Sequence, residues 1–227
     1  MRLDKFLCEC AFGTRTEVKS AVKAKLVTVN GKIVTDCGFS VSEKDEIFLS
    51  GKRALYSKYV YIMLNKPMGT ISAVTDKEKT VIDLIEQVPK RGLFPVGRLD
   101  KDTEGLLIIT NDGELAHKLL SPKKHVDKKY YFKFSGTMPE NAVSLFKEGI
   151  KLKDFTCRQA ILEIISENEA YVTIHEGKYH QVKRMVRAVG CEVEYLKRTA
   201  FGQLKLDESL LPGQSRLLTP KEVELLK

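Results

Sequence analysis

The chain has 227 residues, 43% hydrophobic and 30% charged, with 38 Lys and Arg against 30 Asp and Glu for a net charge of +8. That length accommodates one large domain, or a small one and a medium one, and buries a core without covalent staples. The longest apolar runs, such as residues 106–109, are too short to span a bilayer, and no continuous apolar stretch follows Met1, so membrane, exported, collagen-like and disordered classes drop out.

The basic excess suits a polyanionic partner but is equally compatible with an ordinary mildly basic protein. Five scattered cysteines, Cys8, Cys10, Cys37, Cys157 and Cys191, form no CxxC pair. They are expected to be reduced thiols of a cytoplasmic protein. Cys8-Glu9-Cys10 could hold a soft metal; the competing reading, that Cys10 packs as a small core hydrophobe, is preferred, so no metal is expected.

Leu3, Phe6, Leu7 and Cys10 recur at i, i+3, i+4, i+7 and predict a helix that Gly13 ends. Thr14-Arg15-Thr16-Glu17 has the form of a capping box, and Val18, Ala21 and Val22 give a second helix its apolar stripe. Arg15, Lys19 and Lys23 belong to that basic helix. Two β-branched runs around Asn30-Gly31 predict a hairpin, because both turn residues must accept positive φ. A strand at 47–49 closes this front unit, and the polar stretch 51–58 reads as a linker. Residues 1–58 hold 11 Lys and Arg against 7 Asp and Glu, and the remaining 169 hold 27 against 23. The same excess over a third of the length favours a phosphate-backbone partner for the front unit over a merely solvated helix face.

Beyond it, strands and helices mix without strict βαβ alternation. A strand at 59–64 ends at Asn65-Lys66-Pro67, and a short helix is predicted from Val81, Leu84, Ile85 and Val88. The apolar strand 106–110 leads through Asn111-Asp112-Gly113 into a helix reaching Leu120. A strand covers 129–135, and Pro139 and Gly149 bracket a helix. Strands follow at 160–165 and 170–175. A helix then carries Val182, Met185, Val186 and Val189 on one face, with Gly190 after it. Strands at 193–197 and 203–206 precede a last capping box, Thr219-Pro220-Lys221-Glu222. The pattern is α+β: a small helix–helix–hairpin domain over 1–58, then a larger mixed, mostly antiparallel sheet flanked by helices over 59–227.

The densest polar cluster is Gly97-Arg98-Leu99-Asp100-Lys101-Asp102-Thr103-Glu104-Gly105, at the mouth of the apolar strand. Its acids imitate the start of a calcium loop, but Asn111 stands where the bidentate Glu is needed. A solvated structural turn and a nucleophilic or general-base carboxylate are the other readings. Two segments could supply partners. One is Ser121-Pro122-Lys123-Lys124-His125-Val126-Asp127-Lys128-Lys129-Tyr130, in which strand alternation turns Tyr130 inward with Phe132 and Phe134. The other is the helix after Glu176, where Lys183, Arg184 and Arg187 stand off the apolar stripe as a phosphate clamp, a counter-ion to a carboxylate, or a solvated face.

The run GRLDKDTEGLLIITNDG at 97–113 closely resembles the signature of the RsuA family of ribosomal-RNA pseudouridine synthases. MLNKP at 63–67, SPKKHVDKKY at 121–130 and EGKYHQVKRM at 176–185 match its other motifs in order. RLDKFL and VTVNGKIV in the front unit resemble the S-four-type RNA-binding domain. The resemblance implies an isomerase that re-joins a uracil to its ribose through carbon, with Asp100 as the catalytic aspartate, Tyr130 against the target uracil and Lys183 paired with the aspartate. Lys183 falls where many relatives carry Arg, with Arg184 as the fallback partner. Arg98 would lie beside the flipped nucleotide, and Lys123, Lys124, Lys128, Arg184, Arg187, Arg15, Lys19 and Lys23 would meet the RNA. Asp102 and Glu104 would shape the loop. No cofactor is implied, no membrane is involved, and the partner is ribosomal RNA or an assembling subunit bound by a monomer. The motifs look most like the small-subunit branch; the large-subunit branch is the alternative. A non-catalytic RNA-binding or assembly protein would lack the aspartate, and Asp100 is present.

Overall fold

The computed structural model describes every residue except Leu55, Pro122, Lys123 and His125. Two units emerge: Met1–Tyr59 together with Glu86–Arg91, and Val60–Ile85 together with Gly92–Lys227.

In the first, helices α1 (Leu3–Glu9) and α2 (Arg15–Lys23) precede strands β1 (Val27–Val29), β2 (Lys32–Ile33), β3 (Ile47–Leu49) and β4 (Lys52–Arg53). The Thr14 capping box forms in full, with Glu17 N–H donating to Thr14 Oγ1 and Thr14 N–H to Glu17 Oε2. Asn30 and Gly31 take φ of 50° and 78°, as the hairpin requires. Asn30 also ties the turn down, donating to Asp45 Oδ1 at 2.8 Å and accepting from Glu46 N–H at 2.9 Å. The sheet order is β2-β1-β3-β4. Leu3, Phe6, Leu7, Val18, Val22, Val27 and Ile47 fill the core, each worth about 1.5–3 kcal/mol if fully withdrawn from water. The stretch read as a linker begins with β4, formed because Ser50 and Gly51 turn the chain back with positive φ. Cys10 is only partly buried; Cys157 and Cys191 are the buried thiols, and all five cysteines are free.

The second unit contains β5 (Tyr61–Lys66), β6 (Phe94–Pro95), β7 (Glu104–Thr110), α3 (Gly113–Leu120), β8 (Lys128–Ser135) and α4 (Ala142–Glu148). Then follow β9 (Ile161–Ser166), β10 (Glu169–Ile174), α5 (Gln181–Ala188), β11 (Glu192–Phe201), β12 (Leu204–Lys205), β13 (Ser215–Leu217) and α6 (Pro220–Glu224). The sheet runs β13-β5-β7-β11-β8-β10-β9, with β6 added to β7 and β12 to β11. Among the pairings between these strands, as far as the residues are described, β7–β11 is parallel and the others are antiparallel. The α+β expectation with a mixed, mostly antiparallel sheet therefore holds. Met63, Leu106, Ile108, Leu115, Leu119 and Phe201 anchor its core.

Three expectations are corrected. Residues 81–88 bury Val81, Ile82 and Ile85 but form turns and no helix. The Val81 amide is drawn to the Ile71 carbonyl at 3.0 Å and Asp83 accepts from the Thr80 amide and hydroxyl, while the Ile85 amide reaches back only three residues, to the Ile82 carbonyl at 3.2 Å, which makes a turn and not an α-helical bond. Helix α4 starts after Asn141, and Pro139 only offers its carbonyl to the Ala142 amide at 2.9 Å. Strand β11, expected to end at Lys197, continues to Phe201, with Arg198 buried and paired with Gly105 on β7 and Tyr130 on β8.

Candidate active site

One row of the sheet organises the site. Lys66 on β5 pairs with Gly105 on β7, Gly105 with Arg198 on β11, and Arg198 with Tyr130 on β8. Gly105 is required here: it sits at φ 103°, and an added Cβ would stand 2.2 Å from the Arg198 carbonyl oxygen. Strands β7 and β11 can approach this closely only without that carbon.

The loop between β6 and β7 carries Asp100. Leu99 pins it, its amide accepted by Ser72 Oγ at 3.1 Å while that hydroxyl donates to the Leu99 carbonyl at 2.8 Å. Lys66, fully buried, supports the loop from beneath. Its ammonium donates to the carbonyls of Thr103 (2.9 Å), Asp100 (3.0 Å), Pro67 (3.1 Å) and Lys101 (3.3 Å). Burial pushes Lys66 down to about 8 even though Asp102, Asp100 and Glu104 pull the other way.

Helix α5 and the turn before it bring the facing groups. Lys183 Nζ lies 3.8 Å from Asp100 Oδ2 and 2.5 Å from Asp102 Oδ1, so one ammonium bridges two carboxylates. His180 Nε2 lies 3.7 Å from Asp100 Oδ1. Both contacts to Asp100 are longer than a hydrogen bond, so its oxygens stay open to an incoming group beside a balancing positive charge. Burial raises Asp102, but the hydrogen bond and charge of Lys183 outweigh it and leave that carboxyl below its usual range. Glu104 accepts from Tyr195 O–H at 2.6 Å and turns away into structural use. Tyr130, only 7% exposed, lines the pocket with Arg98, Leu99, Asp100, Val182 and Leu196. The arrangement is a reachable carboxylate in a mixed pocket, where Tyr130, Leu99, Val182 and Leu196 offer apolar surface and Arg98, Lys178, His180 and Gln181 offer polar groups, a lining suited to a ring that carries hydrogen-bonding edges.

The other basic residues divide. Arg98 is exposed at the pocket. Lys123 lies outside the described residues. Lys124 is exposed and donates to the Lys227 carbonyl at 2.9 Å. Lys128 is half-buried over the Phe201 ring, donates to the Val126 carbonyl at 2.8 Å, and is pushed down to about 8 by burial and by Arg198. It lines a neighbouring pocket that shares Gly177 and Lys178 with that of Asp100. Arg184 is committed to Asp154 and to the Phe155 ring, and Arg187 to Glu192. The three cations of α5 thus each face a carboxylate, and of the three only Lys183 approaches Asp100. Arg15, Lys19 and Lys23 are exposed on α2 of the first unit.

Sequence reading missed three participants. Lys66 stands in the MLNKP motif and at the end of a buried apolar strand, but neither assigned it a role. His180 lies in the EGKYHQVKRM motif without a role of its own, since its approach to Asp100 depends on a left-handed backbone at φ 48°. Arg198, 2% exposed, donates to the Leu106 carbonyl at 2.8 Å, and its Nη2 has no partner among the described residues. Among the described residues no group of three or more His, Cys, Asp or Glu could hold a metal, and no helix is long and apolar enough to cross a membrane.

An acid-bearing loop and a buried tyrosine line one pocket beside a mixed sheet, in a chain that opens with a helix–helix–hairpin unit. The chain belongs to the RNA pseudouridylate synthase family, whose pattern matches residues 60–188, and it carries an S4 domain over residues 1–47. It is therefore a pseudouridine synthase, an isomerase. A Vibrio cholerae ribosomal small subunit pseudouridine synthase A is 40% identical, covering 98% of each chain. A Bacillus subtilis ribosomal large subunit pseudouridine synthase B is 38% identical, covering all of this chain and 95% of that one. A crystal structure of a pseudouridylate synthase is 37% identical, with a TM-score of 0.72 and full coverage of both chains.

Proposed function

We propose that this enzyme converts a specific uridine of small-subunit ribosomal RNA to pseudouridine, with Asp100 as the reacting carboxylate. The observation that carries the assignment of Asp100 is its position between Lys183 and His180, at a pocket that Tyr130 also lines. In the isomerisation the N1–C1′ bond breaks, the uracil turns, C5 bonds to C1′, and the C5 proton leaves while N1 ends with one. Composition is unchanged, so the reaction calls for no group donor or redox partner. Asp100 serves as nucleophile at C1′ or as base toward the ribose. Tyr130 stacks on the uracil, and Lys183 balances the carboxylate charge. Base extrusion is needed to bring the glycosidic bond to the loop, and Arg98 at the rim is placed to fill the vacated space. The first unit, with Arg15, Lys19 and Lys23 exposed, captures RNA backbone, and in the second unit Lys124 and Lys128, the latter lining the neighbouring pocket, do the same.

Small-subunit RNA is favoured by the 40% identical Vibrio cholerae relative that bears that name. The Bacillus subtilis relative, 38% identical over the whole chain, supports large-subunit RNA as a second reading. Mapping pseudouridines in both rRNAs, from cells with and without the protein, separates the two. A site lost from small-subunit RNA is expected, and one lost only from large-subunit RNA overturns the choice. Asp100→Asn supplied in place of the natural chain should restore no site while binding RNA within a few-fold.

A further inference from the structure

We propose that Tyr179 is a base-stacking residue, whose outward ring face receives the nucleobase of a nucleotide flanking the target uridine. This rests on the reading that uridine occupies the pocket of Asp100. Tyr179 is 76% exposed, a degree of exposure at which a large ring contributes little to the core. Its inner face is already stacked on His180, with ring centroids 3.9 Å apart and planes 16° from parallel. His180 in turn places Nε2 3.7 Å from Asp100 Oδ1. The exposed ring is therefore one aromatic stack away from the histidine that touches the proposed reacting carboxylate.

The turn that displays this pair is held firmly. Gln181, only 4% exposed, donates from Nε2 to Glu176 Oε1 at 2.7 Å and accepts the Lys178 amide at 3.0 Å. His180 takes φ 48°, a left-handed conformation that residues other than glycine adopt at a cost. Lys178, the exposed residue just before Tyr179, adds a positive charge beside the platform. A held π face beside a cation, next to the pocket proposed to take the uridine, fits a neighbouring base of the same strand, and every base offers a face to stack.

The chain contains no tryptophan, so Tyr179→Trp installs a single indole reporter. The probes are unmodified small-subunit and large-subunit rRNA transcripts made in vitro. Tyr179→Ala and Tyr179→Leu, which both lack a π face, should raise KM about tenfold with kcat within about twofold. Their thermal melts should match wild type. Tyr179→Trp should bring KM back toward the wild-type value, and its emission should be quenched as transcript is added. A wild-type KM for the Leu variant, or indole emission unchanged at saturating transcript, overturns the proposal. If wild type modifies neither transcript while the indole is still quenched, the rRNA reading fails and stacking stands.

Discussion

The ammonium of Lys66 lies 3.0 Å from the backbone carbonyl of Asp100, so the main chain of the proposed catalytic residue is fixed from below while its side chain is free to face the pocket. The same ammonium reaches three further carbonyls, and one buried charge thereby sets the shape of the whole acidic loop. This is preorganisation by a residue that touches no substrate.

Replacing Lys66 with Met should lower stability by about 2–4 kcal/mol, because carbonyls now satisfied by a charged donor are left buried without one. Turnover should fall with it as the loop loosens. Chemical denaturation of both proteins provides the check, and equal midpoints would show that the ammonium is not holding the loop.

Lys66 also carries a pH signature. Its folded pKa is pushed down to about 8, from an ordinary 10.5. The unfolded chain therefore binds more protons between those values, and this residue's contribution to stability rises as pH increases through that window. Stability measured from pH 8 to 10.5 should climb less steeply, or fall more steeply, in Lys66→Met than in wild type. Parallel profiles would contradict the assignment.

Lys183 is shared between Asp100 and Asp102, and the shorter contact is to Asp102. Asp102→Asn should leave kcat within several-fold, since the ammonium then remains for Asp100 alone. Lys183→Met should cut kcat about ten- to a hundredfold by leaving Asp100 without its cation. Single-turnover assays distinguish them, and a larger loss in the Asp102 variant would reverse the roles assigned to the two acids.

Gly105→Ala should not be tolerated. The new Cβ would stand 2.2 Å from the Arg198 carbonyl oxygen, at a position already in the left-handed region, and backbone on both strands would have to move. A loss of more than about 3 kcal/mol is expected, through strain and overpacking together. Thermal unfolding or the soluble yield checks it; a wild-type melt would mean the β7–β11 contact is looser than described.

Local pattern made much of this legible. The capping boxes at Thr14 and Thr219, the Asn30-Gly31 hairpin and the inward Tyr130 depend on residues a few positions apart, and each forms as read. The failures also have a physical cause. Residues 81–88 have helical spacing of apolar side chains, but the Ile85 amide bonds to Ile82 three residues back, and the segment makes turns tied at its start to Ile71. Of the readings open for the cationic face of α5, pairing with carboxylates is the one the structure displays, and the partners Asp102, Asp154 and Glu192 could not be read locally because they come from other segments.

The sequence alone determined the α+β class and marked the acidic loop, because both are written in adjacent residues with defined periods, turns and caps, while the resemblance of its motifs singled out Asp100 and the S4-like front unit. Only tertiary structure decided that Lys66 supports that loop, that His180 reaches Asp100, and that Arg198 is buried. The first and last arise where β5, β7 and β11 meet in register, and the second where the turn before α5 faces the β6–β7 loop; contacts between segments tens of residues apart leave no local pattern to read.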